Sequence, residues 1–308
     1  MIDDAPRNVL AFAPATAPGA GDGMVLRLVN PETGVALTPD GPHSLTDGRT
    51  RVPVVDGIPY LRTGRDALRT EALDRLDRED RTGALVVLLA DRDDHAKGPP
   101  APEAGLVDLA AGRVPTLREA MPRLEYGPVA DYFAHRWSTP TFLSALALLS
   151  AHWRPGLPVV EVACGIGQIL REAQIAGATA VGVDVVFSKL WLAKTYVLER
   201  TAALVCADAA AGLPLVIDRA SCVICHDALY FLDAKREAVA AMRRLAGQDG
   251  ALLAGHCHNR LVDQRGVGGA PLSPDEWGAL MPDAAAHDDA ALTRAWLADR
   301  VPEPAAIG

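Results

Sequence analysis

The chain has 308 residues, long enough for one large domain with a smaller one beside it, and 49% of them are hydrophobic. The formal net charge is −9 and no Lys/Arg cluster stands out, which argues against nucleic acid as a partner. No apolar run approaches membrane-spanning length, so no membrane partner is expected either.

Residues 1–23, "MIDDAPRNVLAFAPATAPGAGDG", begin with acids rather than with a basic segment leading into an apolar one. A flexible lead-in is expected there, not an export signal, and the five cysteines are expected to be reduced thiols of a cytoplasmic protein. Residues 24–64 read as a small β module: short strand patterns separated by Pro-Glu-Thr-Gly, Pro-Asp-Gly and Asp56-Gly57 turns. Residues 65–125 read as a helical connector. Leu68, Ala72, Leu73 and Leu76 share one face over 66–92, and a Pro/Gly/Ala-rich linker follows over 95–115.

From 126 to 308 the pattern is α/β. Thr139 is an N-cap followed by proline at the first helical position, and Pro155-Gly156 stops the helix that they start. Strands are expected at 158–164, 180–186, 203–207, 221–226 and 251–257, with helices near 167–176, 187–200, 234–246 and 274–281. Such alternation predicts a Rossmann-like, doubly wound, mostly parallel sheet with helices on both faces.

The stretch "VVEVACGIGQIL" is a strand that breaks into Cys164-Gly165-Ile166-Gly167 and resumes as a helix. In open parallel sheets ligands bind at the carboxyl ends of the strands, where strand order reverses. A dinucleotide fingerprint would put a third glycine at residue 170, which is Leu170. Further along, "VGVDVV" ends on Asp184, and "LVCADAAAGLPL" puts Asp208 at the next strand end. A carboxylate at the first position can accept from both hydroxyls of a ribose, and one at the second from an adenine amino group.

With one acid at each of three successive strand ends, residues 126–258 resemble a class I S-adenosylmethionine-dependent methyltransferase. "VVEVACGIG" matches the glycine motif, "GVDVV" the ribose acid, "CADAAAGLPL" the adenine segment and "ICHDALYFL" the fourth-strand motif. Ala163 stands where the family's first glycine is found. The resemblance implies S-adenosyl-L-methionine as cofactor, held by Glu161, Ala163, Cys164, Gly165, Gly167, Asp184, Val185, Asp208, Ala209 and Cys225. Tyr132 and Arg136 come from the aromatic and basic segment before the core helix, and Arg136 is expected to meet the methionine carboxylate. The module at 24–64 is similar to a zinc-ribbon-like module found in front of some methyltransferases. It has no cysteine, so no zinc is expected in it.

His226, Asp227, His256 and His258 cluster at the ends of the last two strands. On sequence alone they could satisfy backbone groups, hold a metal, or supply a general base for a protonated acceptor. The expectation adopted is His226 and His256 as catalytic residues and no metal, since "HDALYF" and "HCHN" offer few carboxylates. The Cys222-Val223-Ile224-Cys225-His226 match to a haem attachment signature is set aside, because it falls in a buried strand pattern. The expected partner is a small-molecule acceptor. A homo-oligomer or second chain could cover the sheet edge, since the family's terminal strand pair is incomplete after "SPDEWGALMP". Two other activities stay open: non-methylating chemistry on the same cofactor, and a non-catalytic cofactor-binding scaffold subunit.

Overall fold

The computed structural model describes residues 26–304 apart from 95, 97 and 263–267. The lead-in expected over 1–23 lies outside the described residues. The described residues begin with β1 (Leu26–Leu28) and continue through the antiparallel β2 (Thr38–Pro39), β3 (Ser44–Thr46), β4 (Arg51–Val55) and β5 (Ile58–Pro59). Asp56 and Gly57 join β4 to β5 with φ of 49° and 70°. Left-handed backbone at both central positions is what a two-residue hairpin needs to follow the strand twist, and Asp-Gly is suited to it.

Helices α1 (Asp66–Asp77), α2 (Arg81–Leu89), α3 (Glu103–Ala110) and α4 (Leu117–Arg123) follow. Helix α3 falls inside the segment expected to be a linker. It starts just after Pro102 and buries Leu106 and Leu109. Apolar residues three apart share one helix face, and burying them offsets the poor intrinsic stability of so short a helix.

Then come α5 (Pro128–His135), α6 (Pro140–His152), β6 (Val159–Val162), α7 (Gln168–Ile175), β7 (Ala180–Asp184) and α8 (Phe187–Leu192). Thr139 caps α6 by accepting from the Phe142 amide at 3.3 Å, with Pro140 at the first helical position. The helix expected over 187–200 widens into a π turn at Ala193–Val197. The chain continues through β8 (Ala203–Cys206), β9 (Leu215–Ile217), β10 (Cys222–His226), α9 (Lys235–Ala246), β11 (Ala251–Gly255), α10 (Pro274–Leu280) and α11 (Asp289–Leu297).

The five-stranded sheet has the order β11-β10-β6-β7-β8 and is parallel throughout. The chain leaves the central β6 first toward β8 and later toward β11, so strand order reverses between β6 and β10. Alternate strand residues serve two cores. Val159 and Ile224 pack with α6, α7 and α8 on one face, while Val160, Val162 and Val223 pack with α9 on the other. This is the Rossmann-like architecture expected, with the antiparallel strands at its N-terminal end.

The two edges of this sheet differ. Beyond β8, Tyr60 forms a parallel bridge to Cys206, and the Leu61 amide donates to the Cys206 carbonyl at 2.7 Å. β1 pairs with β9, Leu26 opposite Ile217. Tyr60 is fully buried and donates to Asp91 Oδ2 at 2.7 Å, and Arg62 donates to the same oxygen at 2.9 Å. At the other edge, no strand among the described residues pairs with the outer side of β11, and α11 packs on α6. Among the described residues, no helix is long and apolar enough to cross a membrane.

Removing Arg62 takes the closest cation from the buried Asp91 and leaves it with the Tyr60 hydroxyl and a longer contact to Arg65 at 3.3 Å. Arg62→Ala should therefore lower unfolding free energy by about 3 kcal/mol, read from urea denaturation. Exposed Arg27→Ala, whose pair with Asp218 is open to solvent, should change it by ~0.5 kcal/mol or less.

Candidate active site

The turn between β6 and α7 is built around left-handed backbone. Ala163, Gly165 and Gly167 have φ of 57°, 55° and 74°. At 167 space also demands glycine, since a Cβ would lie 2.8 Å from Leu198 Cδ1. At 165 conformation decides, because the nearest atom to a Cβ would be Phe133 Cε1 at 3.4 Å. Ala163 holds the same conformation with a side chain, at a cost of about 1 kcal/mol. The Phe133 ring thus roofs Gly165, and Gln168 Nε2 fastens that segment by donating to the Phe133 carbonyl at 3.0 Å.

Asp184, buried at the end of β7, ties the turn to the sheet. Its Oδ2 accepts from the Gly165 amide at 2.8 Å and its Oδ1 from the Val186 amide at 2.9 Å. Val185 lies between these contacts and is half-buried. Asp208, just past β8, is half-buried and accepts from the Ala210 amide at 2.8 Å, with Ala209 buried beside it. Glu161 points from β6 into the same region. It is 4% exposed and its Oε2 has no hydrogen-bond partner. Burial pushes its carboxyl up to about 8, against the pull of the Arg136 charge. Cys164 and Cys225 are buried, and burial pushes both thiols up. The Cys222–His226 segment lies wholly inside β10, away from solvent.

A second polar group sits at the ends of β10 and β11. Asp227 Oδ2 accepts from Arg136 Nη1 at 2.7 Å and from the Tyr132 hydroxyl at 2.6 Å, while Oδ1 accepts from the Tyr230 hydroxyl at 2.9 Å. Arg136, expected to meet a cofactor carboxylate, is thus held on Asp227. His256 Nδ1 is 2.8 Å from Asp289 Oδ2, a bond that raises the histidine's pKa. His256 Nε2 and His258 Nε2 face Asp227 Oδ1 at 4.0 and 3.6 Å.

His226 departs from the role expected of it. Its Nε2 lies 2.8 Å from the Thr141 carbonyl, which can only accept, so Nε2 carries the proton. Nδ1 is buried with no partner, and a Cβ at residue 255 would lie 2.1 Å from it. Burial, with Arg136's charge, pushes the ring down to about 4. His226 is therefore a neutral core histidine packed over Gly255, whereas His256 is only half-buried. Asp289 escaped the sequence reasoning because α11 did. The signal was present in "HDDAALTRAWL", where Asp288 caps the helix by accepting from the Ala291 amide. A cavity of about 810 Å³ runs along the outer side of β11, between Leu252, Trp277 and Met281, and reaches His256 and Asp289.

Residues 160–254, less than half of the chain, match the family model described as a methyltransferase domain. No curated protein sequence matches the chain. Solved structures similar to it include a candidate methyltransferase of Bacillus halodurans C-125 (16% identity, TM-score 0.40, 47% of this chain and 69% of that one). A candidate methyltransferase of Haloferax volcanii, solved with a methyltransferase activator, is similar at 19% identity and TM-score 0.42 over 47% of this chain and 68% of that one. The CcbJ methyltransferase of Streptomyces caelestis is similar at 22% identity and TM-score 0.34 over 38% and 49%.

Glu161 makes the site testable without substrate. Its folded pKa is raised from 4.5 to about 8, so between those values the folded chain holds a proton that the unfolded chain releases, and stability falls as pH rises. Thermal melts should show Glu161→Gln gaining on the parent chain steadily across that window, with the two closest at its acidic end.

Proposed function

We propose that the chain transfers a methyl group from S-adenosyl-L-methionine to a small-molecule acceptor. The observation that carries this is the unpartnered Glu161 oxygen, buried beside a left-handed glycine turn that Asp184 pins in place. A buried carboxyl oxygen left without a partner is costly and keeps its proton, and an ammonium-bearing ligand would give it a donor and let it ionise. Glu161, Ala163, Cys164, Gly165 and Gly167 would hold the methionine end. Asp184 and Val185 would hold the ribose, and Asp208 and Ala209 the adenine. Asp184 already receives two amides, and a carboxylate has acceptor sites for hydroxyls besides. Cys225, Tyr132 and Arg136 would wall the reacting end.

When bound, the cofactor supplies a methyl carbon on a sulfonium whose leaving group is a neutral thioether. The residues of this chain then have three tasks. Phe133 and the segment carrying it keep water off the glycine turn. Tyr132, Arg136 and Tyr230 hold Asp227 in one orientation. His256, braced by Asp289, faces the acceptor and assists loss of its proton. Positioning of this kind is the larger share of catalysis when the leaving group is already good. The cavity beside β11 is of a size suited to a small molecule, and the acidic net charge disfavours nucleic acid as acceptor.

S-adenosylhomocysteine should raise the melting temperature by mass action and NAD should not. Gly165→Val should abolish that shift, because φ at 165 is left-handed and the added side chain meets Phe133. A shift with NAD alone, or none at saturating ligand, would overturn the reading.

The histidines separate on a second measurement. His256→Ala should lower kcat by ~10²-fold with cofactor affinity near that of the parent. His226→Ala should register chiefly as a lower melting temperature, because it removes a buried ring and its bond to Thr141. Equal effects of the two on kcat would reverse this assignment.

A further inference from the structure

We propose that Asp227, His256 and His258 form a binding site for a divalent first-row transition cation at the mouth of the active site. The three residues each offer one ligand atom, and these atoms all lie within 4.8 Å of one another. Two of the separations, 3.6 Å from His258 Nε2 and 4.0 Å from His256 Nε2 to Asp227 Oδ1, are too long for hydrogen bonds. They are close to what a shared cation requires. Bonds of ~2.1 Å to nitrogen and oxygen place neighbouring ligand atoms about 3.0–3.4 Å apart. To share a cation the 3.6 Å separation must close by about 0.2–0.6 Å and the 4.0 Å one by about 0.6–1.0 Å, and the third, within 4.8 Å, closes by side-chain rotation.

Groups that orient the ligands are already in place. His256 binds Asp289 through Nδ1, which leaves Nε2, 4.0 Å from Asp227 Oδ1, as its ligand atom. A carboxylate behind a ligating imidazole fixes its tautomer and raises its basicity. Asp227 is held by Tyr132, Arg136 and Tyr230. The carbonyl of His258 accepts from Trp277 Nε1 at 2.9 Å, which anchors that turn on α10. The charges also balance in a cation's favour. Two carboxylates, Asp227 and Asp289, flank the imidazoles, and one guanidinium, that of Arg136, pairs with Asp227.

The backbone carries the same signature. Among the described residues, eight that are not glycine have positive φ, and three of them are Asp227 (57°), His256 (50°) and His258 (52°). Each such residue costs of order 1 kcal/mol, and a concentration of strain at one spot marks a functional constraint. Here the left-handed turns after β10 and β11 aim three side chains at one point. The side chains are 10%, 26% and 14% exposed, so the point is reachable from solvent. Two nitrogens and one carboxylate oxygen suit manganese, iron, cobalt, nickel or zinc better than magnesium or calcium. Positions left open could take an oxygen or nitrogen of the acceptor and ease loss of its proton; this consequence alone rests on the function proposed above.

The test uses tag-free, full-length protein stripped with chelator and titrated with Co²⁺ in the absence of any cofactor. One Co²⁺ should bind per chain with visible d–d absorption. Hyperfine-shifted imidazole N–H protons from two histidines should appear in the NMR spectrum, that of His256 exchanging slowly because Asp289 holds it. His258→Ala should weaken binding by ~10²-fold, with folding checked by circular dichroism. If that variant fails to fold, the NMR spectrum of the parent decides. Absent binding, binding unchanged in folded His258→Ala, or no shifted imidazole protons would remove the metal. A positive melting shift with S-adenosylhomocysteine alongside such a failure would leave the methyltransferase reading intact, with His256 acting without a cation.

Discussion

The carboxylate of Asp184 is the point on which the rest of the site depends. A buried anion must be met by donors, and the two it finds are the amides of Gly165 and Val186. Hydrogen bonds to a charged acceptor contribute roughly 1.5–3 kcal/mol each, enough to hold the β6–α7 turn in left-handed backbone despite the alanine at 163. The strands beneath must approach closely for this. A Cβ on Gly182 would lie 2.8–2.9 Å from Leu204, Cys164 and Leu170. The start of α7, the direction of Glu161 and the roof formed by Phe133 all follow from that one anchored turn.

Arg136 links this half of the site to the other. Its guanidinium is buried, pairs directly with Asp227, and acts through space on Glu161. One cation therefore conditions the acid at the end of β6 and the acid at the end of β10, on either side of the point where strand order reverses. The register of β10 against β11 sets the remainder. His226 lies opposite Gly255, where the missing side chain leaves room for its ring, and Asp227 then donates its amide to the Gly255 carbonyl at 2.9 Å. The left-handed turns that follow bring Asp227, His256 and His258 to one mouth.

The sheet edges are treated in opposite ways. An edge strand exposes unpaired backbone groups that other chains can capture. At β8 that liability is removed within the chain, by Tyr60 and Leu61 on Cys206. At β11 the edge instead borders a cavity whose other wall is the segment leading into α11. This arrangement brings Asp289 onto His256 and connects the cavity with the polar mouth.

The sequence by itself determined the alternating α/β core, the cap of α6 at Thr139, the Asp-Gly hairpin and the glycine turn with an acid at each of three strand ends. These are local matters. Hydrophobic periodicity, capping and left-handed backbone leave their mark within a few residues, so they can be read without knowing what packs where. Helix α3 and the roles of the histidines were not legible in this way. Which histidine is entombed and which stays half-exposed depends on a carbonyl 85 residues away, at Thr141, and on a carboxylate 33 residues away, at Asp289. The pairing of Arg136 with Asp227, 91 residues apart, and of β1 with β9 is of the same kind. Only the tertiary structure decided these, because burial and charge pairing are set by whichever distant groups the sheet brings together, and no spacing along the chain encodes them.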